Sequence, residues 1–390
     1  MSKKVTDMRL KGLVVIFFLC GMAGVHGQDK LVRASLGGYV SNMQSVIFED
    51  VEGEWINENL IHNRLNLRLY AGQKISFGLE MRNRFFTGDM IRIDPAYAGR
   101  LAGDRGLIDL TTNVFNENSF ILNSSLDRAW VDISMGNMEF RAGRQRINWG
   151  QTFVWNPNDI FNAYSYFDVD YPERPGSDAL RLQVFPDFSS AIELAAAMDS
   201  DKDLTMAAMY RFNKWGYDIQ VLAGSVDSKD IVFGTGWSGS LGSTSFRGEM
   251  SWFQPLDNFR DTTGTGLFTI GFDRSFSGKG MLQLQAMYCN APLEFSSLDA
   301  FYSTDISVKD LAFSELSLFG SVSYPVSPLV NISMSAIWYP GLHGFFAGPA
   351  ADISLSANLD FSFIWQHFNA ELNNEIQKMN LGFLRMKYSF

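Results

Sequence analysis

A two-residue alternation of apolar and polar side chains constrains this chain more than any other feature, and it is clearest at the end. From Asn380 to Phe390, one parity carries Gly382, Leu384, Met386, Tyr388 and Phe390, and the other carries Phe383, Arg385, Lys387 and Ser389. Successive side chains of a β-strand point to opposite faces, so this pattern predicts a strand with one apolar and one mostly polar face. Soluble sandwiches also contain such strands, and one segment does not decide between the two classes.

The same alternation recurs along the chain, for example over residues 64–71, 75–84, 128–135, 245–252, 282–289 and 330–338. No helical periodicity competes over comparable lengths. Short turns are expected at 72–74, 136–137, 213–216, 277–280 and 325–328, and long loops at 48–61, 86–125, 149–178, 254–266, 290–311 and 368–379. Short turns at one end and long loops at the other are typical of a transmembrane β-barrel.

The strand count depends on residues 352–365. As one strand, this segment gives an odd total, whereas a fold-back at Ala357 and Asn358 gives 18 strands. Bacterial barrels of this type have even numbers of strands. We therefore predict an all-β protein, a transmembrane antiparallel up-and-down β-barrel of about 18 strands with long extracellular loops, and 16 strands remain the alternative.

The N-terminus has the order of a secretory signal peptide. Lys3, Lys4, Arg9 and Lys11 precede an apolar run over 13–25, and a cleavage point lies before Gln28. We expect residues 1–27 to be the signal and residues 28–390 to form the barrel. Removing four basic residues and one acidic residue takes the formal net charge from −10 to −13. An acidic exported chain is a poor candidate for nucleic-acid binding.

The polar parity is expected to face the lumen, and it is rich in arginine. Its cations are Arg64, Arg68, Arg82, Arg84, Arg141, Arg181, Arg211, Arg247, Arg385 and Lys387, and its acids include Glu80, Asp132, Glu139, Glu193, Glu249 and Asp273. Guanidinium groups bind carboxylate, phosphate or sulfate as rigid forks. The alternative is that these charges pair with one another and fill a plugged interior. Sixteen to eighteen strands leave a lumen too wide for side chains alone to fill, which favours an aqueous path.

The most distinctive segment is 139–150. Strict alternation places Glu139, Arg141 and Gly143 inward and sends Arg144 and Arg146 toward lipid. Because glycine in a strand often marks an irregularity, a bulge at Gly143 is expected to return both arginines to the lumen.

Two motifs resemble known barrels. The run G-R-Q-x-x-x-W-G from Gly143, followed by N-P-x-D-x-F-N from Asn156, resembles Gram-negative outer-membrane porin-like barrels of the alginate-export and phosphate-porin type over about 141–168. The Phe-terminated last strand resembles the C-terminal signal, here Tyr388 and Phe390, that the barrel-assembly machinery reads in outer-membrane barrels.

The first resemblance implies that residues 149–168 form a constriction loop containing Trp149, Gly150, Asn156, Pro157 and Asp159. It also implies that Arg144, Gln145 and Arg146 line this constriction. The alternative is that Arg144, Trp149, Asn156 and Asp159 only brace the loop against the wall.

Catalytic and metal-binding motifs are missing from the sequence. His62, His343 and His367 have no nucleophile or carboxylate motif beside them, and there is no G-x-S-x-G, zinc or phosphate-loop pattern. Acidic clusters in the loops match no complete calcium loop. We expect no enzyme activity, no cofactor and no metal.

The resulting functional prediction is a porin-like channel in the outer membrane of a Gram-negative bacterium. It would pass small hydrophilic solutes by passive diffusion, and a cationic lumen would favour anions. A plugged receptor or structural barrel that binds partners through its loops is the alternative. The expected partners are outer-membrane lipid and lipopolysaccharide, the assembly machinery, the solutes, and further copies of the chain in a homo-oligomer.

Overall fold

A computed structural model describes residues 32–171, 173–294, 297–298 and 307–390. The predicted signal segment lies outside the described residues. The strands are β1 Val32–Phe48, β2 Ile56–Ala71, β3 Ile75–Gly88, β4 Thr111–Asn116, β5 Phe120–Met135, β6 Met138–Gln145, β7 Ser177–Asp187, β8 Ser190–Met198, β9 Leu204–Lys214, β10 Tyr217–Val226, β11 Asp230–Leu241, β12 Thr244–Pro255, β13 Thr265–Phe276, β14 Gly280–Cys289, β15 Leu316–Ser327, β16 Val330–Tyr339, β17 Gly344–Ser356, β18 Leu359–Leu372 and β19 Glu375–Ser389.

Helical structure is confined to the connections. Short α-helices span Met90–Ile93 and Tyr97–Ala102, and 3₁₀ turns span Val308–Leu311 and Pro340–Leu342. Among the residues that the structure describes, no helix has the length and apolarity needed to cross a bilayer.

The strands form one closed antiparallel barrel. β1 pairs with β19 from Tyr39 opposite Ser389 to Phe48 opposite Asn380, which seals the ring. β4 pairs only with β5, so the wall consists of the other eighteen strands. The predicted fold class is therefore confirmed with 18 strands rather than 16. The predicted fold-back is also confirmed, because β17 ends at Ser356 and β18 begins at Leu359.

One predicted loop is wrong. Residues 368–379 are not a long loop, because β18 and β19 pair up to Leu372 opposite Glu375 and are joined by Asn373 and Asn374 alone. Both asparagines have left-handed φ values, 54° and 63°, as a tight hairpin turn requires. This hairpin extends beyond its neighbours, because pairing with β17 stops at Asn369 and pairing with β1 stops at Asn380. Its sequence no longer alternates there and so resembles a loop.

The outer surface of the barrel is apolar. Large apolar side chains on this face of the strands are exposed. They include Leu180, Leu194, Met206, Val221, Phe233, Met250, Phe268, Leu284, Val322, Met334, Phe363 and Leu384. An outward apolar band around a closed barrel is the surface that a bilayer requires.

β4 completes the wall where β6 leaves it. β6 ends at Gln145, so the upper half of β5 has no partner on that side apart from β4, which pairs from Thr111 opposite Ser125 to Asn116 opposite Ile121. Gly106 then bridges to Asp199 beyond the end of β8. Unpaired strand edges are costly in a membrane, and this insertion covers one.

Candidate functional site

The connection between β6 and β7, residues 146–176, folds into the barrel and is called the inner loop here. Its first half is fastened to the wall by Trp149, whose indole Nε1 donates to Glu193 Oε1 at 2.7 Å on β8. The Trp149 carbonyl accepts from Gln220 Nε2 at 2.7 Å on β10. Further along, Val154 N donates to Gln285 Oε1 at 2.8 Å on β14.

Glu249 on β12 is the strongest fastening point. Its fully buried carboxylate accepts backbone N–H groups from Gln151, from Thr152 at 2.8 Å and from Asn158 at 2.9 Å. Three amides around one carboxylate make strong charge-assisted hydrogen bonds. The backbone of the inner loop therefore folds around the Glu249 side chain of the wall.

The second half of the inner loop begins with an aromatic contact to the opposite wall. The ring centroid of Phe167 lies 5.0 Å from those of both Phe346 and Phe368, and that of Tyr166 lies 5.4 Å from that of Phe319. These edge-on contacts are favourable ring geometries. They hold the inner loop against β15, β17 and β18.

The return path of the inner loop crosses β19 and the first strands. Arg385 Nη1 donates to the Val169 carbonyl at 3.2 Å, and His62 Nδ1 lies 3.0 Å from Asp170 Oδ1. Arg128 Nη2 then donates to the Arg174 carbonyl at 2.6 Å. The described residues of the inner loop therefore contact β8, β10, β12 and β14, then β15, β17 and β18, and finally β19 and the first strands, along the inner face of the wall.

The predicted constriction residues lie in this loop and brace it. Trp149, Asn156 and Asp159 are buried, the Pro157 carbonyl accepts from Ser251 Oγ at 2.9 Å, and these contacts fit the bracing alternative. Gly150 is required for packing, because a Cβ there would lie 2.5 Å from Asn156 Oδ1.

The prediction for Arg144 needs correction. The β5–β6 register runs without interruption through Gly143, so there is no bulge, and Arg144 pairs with Ala129 on the outward face. Its guanidinium is buried between Asp178, at 2.8 Å, and Asp104 of the β3–β5 connection, at 2.7 Å. Arg144 therefore locks the β4 insertion onto the wall and does not line the lumen.

Gln145 and Arg146 have different surroundings. Gln145 is fully buried, and its Nε2 donates to the Ala179 carbonyl at 3.0 Å. Arg146 reaches the lumen because the chain leaves the strand, and its Nη2 lies 3.8 Å from Asp159 Oδ2.

Five inward-facing arginines form an arginine arc on the wall: Arg68 on β2, Arg141 on β6, Arg181 on β7, Arg211 on β9 and Arg247 on β12. Arg141 and Arg181 stand directly opposite each other on adjacent strands. Four members have an acidic neighbour: Arg68 is paired with Glu80, Arg141 with Asp132, Arg181 with Glu193 and Arg247 with Asp273. Arg211 has no ionic partner among the described residues.

In each of these pairs the arginine is more exposed than the acid. The exposed fractions of the side chains are 32% for Arg68 against 11% for Glu80, and 25% for Arg141 against 10% for Asp132. The same order holds for Arg181, 15% against 6%, and for Arg247, 25% against 15%. In each pair the arginine side chain is therefore the one more accessible to solvent in the lumen.

The other predicted lumen cations act mainly as structural anchors. Arg64 is buried between Glu80 and Asp127, at 2.5 and 2.6 Å. Arg82 stacks on Tyr171 of the inner loop, with its Cζ 3.6 Å from the ring centroid. Arg84 Nη2 donates to Asn123 Oδ1 at 2.9 Å. The acid Glu139 lies close to the short turn between β5 and β6, on the same side of the barrel as the arginine arc.

Sequence alternation missed Asp127 as a lumen residue. In the β3–β5 register Glu80 is opposite Arg128 and Met81 is opposite Leu126, so Asp127 is the extra residue of a bulge. This irregularity places the acid beside Arg64. Two adjacent charged residues within an alternating strand were the available signal.

Two buried carboxyl groups of the inner loop have opposite pKa shifts. Burial raises the pKa of Asp159 to about 7, against the opposing charge of Arg146. Burial also disfavours the charged form of Asp170, but its hydrogen bond with His62 and the charge of Arg82 outweigh this and lower its pKa to about 2. Asp170 is therefore an ionised anchor at neutral pH, whereas Asp159 titrates there.

No group of three or more histidine, cysteine or acidic side chains within the described part of the chain has the geometry of a metal site.

At the barrel seam, Tyr388 and Phe390 face outward and are half exposed, and the Gly38 amide donates to the Phe390 carbonyl at 2.9 Å.

Known structures with this architecture exist. Acinetobacter baumannii OccAB2 matches with a TM-score of 0.61 and 10% identity over 91% of this chain and 98% of its own. The fold is that of the Occ porins. Pseudomonas aeruginosa OccK11 (OpdR) matches with a TM-score of 0.57 and 9% identity over 92% and 96% of the two chains.

A third similar structure is P. aeruginosa OccK2 (OpdF) in complex with glucuronate, with a TM-score of 0.58 and 10% identity over 92% of this chain and 98% of that chain. No protein-family profile and no curated protein matches this sequence. At such low identity these likenesses concern the fold.

Proposed function

We propose that this protein is an outer-membrane channel through which small hydrophilic solutes diffuse passively, with a preference for anions. The observation that carries the proposal is the arginine arc, in which four arginine side chains are each more exposed than the acidic side chain beside them. In a narrow passage with low-dielectric walls, a solute responds to the charges nearest to it. The likeness to Occ porins in fold supports a channel.

The total charge of the lumen does not support this preference by itself, since acids and bases are interspersed. The location of the acids supports it. Glu249 is enclosed by backbone amides of the inner loop, and Asp170 is held by His62 and Arg82. These carboxylates are neutralised locally, whereas Arg211 has no ionic partner in the described chain.

Single-channel recording of the purified protein in a planar bilayer tests the proposal. Stepwise currents are expected, with a reversal potential in a KCl gradient that indicates anion preference. Replacing Arg68, Arg141, Arg181 and Arg247 by Gln should shift the reversal potential toward cation preference. Glucuronate, the ligand of the OccK2 complex, is a suitable probe because it is a small hydrophilic carboxylate.

A plugged barrel that binds partners through its loops is the second candidate. It is favoured by a specific observation, because the β14–β15 connection also packs on the inner loop. Leu311 and Phe313 line one small cavity together with Trp155 and Tyr166. A plugged barrel would give no current steps, so the same recording distinguishes the two candidates.

The apolar outer band supports insertion into outer-membrane lipid beside lipopolysaccharide. We also propose that the outward Tyr388 and Phe390 at the seam are read by the barrel-assembly machinery, and that residues 1–27 are removed on export. Association into a homo-oligomer belongs to the same proposal, and chemical cross-linking of the purified protein in detergent tests it.

A further inference from the structure

One aromatic residue in the lumen, Trp130 on β5, lies against two members of the arginine arc. The Cζ atom of Arg141 lies 4.2 Å from the ring centroid of Trp130 on β5, and that of Arg68 lies 4.7 Å from it. Both distances are within the range of a cation–π interaction. One indole therefore attracts two guanidinium groups that would otherwise repel each other.

The neighbouring strands are shaped to allow this stacking. Trp130 is opposite Gly78 on β3 and opposite Gly143 on β6, and Arg68 is also opposite Gly78. A Cβ at Gly78 would lie 2.3 Å from Arg68 Nη1 and 2.4 Å from Trp130 Cε2. The indole and the Arg68 guanidinium thus meet directly above a glycine backbone.

The Trp130 ring takes the place of a hydrogen-bond acceptor for one end of the Arg68 guanidinium. Its Nη2 donates to Glu80, whereas its Nη1 is buried and has no acceptor. The ring face and the Gly78 backbone hold that end of the guanidinium. Without the ring, a single hydrogen bond to Glu80 Oε1 holds the Arg68 guanidinium, since Glu80 Oε2 already accepts from Arg64. The charge of Arg68 then no longer has a fixed position in the lumen. Arg141 keeps its bond to Asp132 at 2.8 Å in either case.

We infer that Trp130 is a positioning residue that sets the anion preference of the channel by keeping Arg68 and Arg141 turned toward the lumen. This inference rests on the proposed function and adds to it an uncharged residue that determines selectivity. Trp130 acts through the two arginines, so its effect depends on their presence.

The test measures reversal potentials of Trp130 variants in a KCl gradient. In Trp130→Ala the anion-to-cation permeability ratio should fall about two- to five-fold, the range that corresponds to one cation–π contact. Trp130→Phe keeps an aromatic ring and should retain most of the ratio. Trp338→Ala, which removes an exposed tryptophan from the lipid-facing surface, is the matched control and should leave the ratio unchanged.

Two further variants separate positioning from a change in pore width. In a background carrying Arg68→Gln and Arg141→Gln, Trp130→Ala should have no additional effect on the ratio. Trp130→Leu keeps an apolar side chain of considerable bulk but removes the aromatic face, and it should lower the ratio as Trp130→Ala does. It also substitutes for Trp130→Ala if that variant does not fold. An unchanged ratio in the folded variants, or an equal fall in the double-arginine background, overturns the inference.

A chemical measurement tests the positioning of Arg68 without any current. Phenylglyoxal labels accessible guanidinium groups, and mass spectrometry reports each arginine separately. In Trp130→Ala, labelling of Arg68 relative to Arg247 should rise, because the ring no longer covers the buried Nη1, and an unchanged relative labelling contradicts the positioning role. If the wild-type protein shows no current, the proposed channel function fails, while this labelling still decides whether Trp130 positions Arg68.

Discussion

Removing the charge of Glu249 should loosen the inner loop where it contacts β12, while the barrel stays folded. Glu249 accepts N–H groups from Gln151, Thr152 and Asn158. A hydrogen bond to a charged group contributes about 1 kcal/mol more than one to a neutral group. Glu249→Gln therefore weakens docking of the inner loop by about 3 kcal/mol over three bonds, which raises the ratio of detached to docked loop about 100-fold. The wall is unaffected because its strands are held by their own ladder.

Hydrogen exchange followed by mass spectrometry measures this directly at the three amides. Their protection should fall in Glu249→Gln, and single-channel currents should become larger and noisier as the inner loop moves. Asp352→Asn is the matched control, since Asp352 is an inward carboxylate that accepts from Ser362 Oγ at 2.6 Å. Unchanged protection of the Gln151, Thr152 and Asn158 amides in Glu249→Gln would refute the idea that this carboxylate organises the inner loop.

Three further predictions concern other contacts. Because the pKa of Asp159 in the folded protein lies near 7, above its ordinary value of about 3.9, its contribution to docking is fully present below the ordinary value and is lost as pH rises through 7. The protection factors of the inner-loop amides, which compare measured exchange with the intrinsic rate at each pH, should therefore fall between about pH 4 and pH 8, and Asp159→Asn should flatten that dependence. Arg144→Ala leaves Asp104 and Asp178 buried without their cation and should destabilise the barrel by about 3–5 kcal/mol in urea, while the reversal potential stays unchanged. Asn374→Val forces a β-branched residue into a left-handed φ and should increase exchange in the β18–β19 hairpin, whereas Asn374→Gly should not.

The sequence was sufficient to predict the barrel because a strand between lipid and water must alternate. Asn358 interrupts that alternation where the chain turns, which is why the fold-back and the count of 18 could be predicted. The long loop predicted around Asn373 was wrong because the β18–β19 hairpin continues beyond both neighbouring strands without the alternation that marks the wall.

The site was less predictable, because the role of a charged residue depends on partners that are distant in sequence. Arg144 lies in the most distinctive motif, yet Asp104, 40 residues away, fixes its position. Trp130 followed the predicted parity, but its contact with Arg68 requires Gly78 on the strand between them. The path of the inner loop depends on side chains such as Glu249 and Gln285, which alternation identifies only as polar.

The reversal potential of the wild-type protein in a salt gradient tests the central claim most directly. A lumen whose arginine side chains are more exposed than the acidic side chains beside them predicts stepwise currents carried mainly by chloride. Currents carried mainly by potassium would contradict the role given to the arginine arc. A silent bilayer, both for the wild type and for Glu249→Gln with its loosened inner loop, would contradict the channel itself.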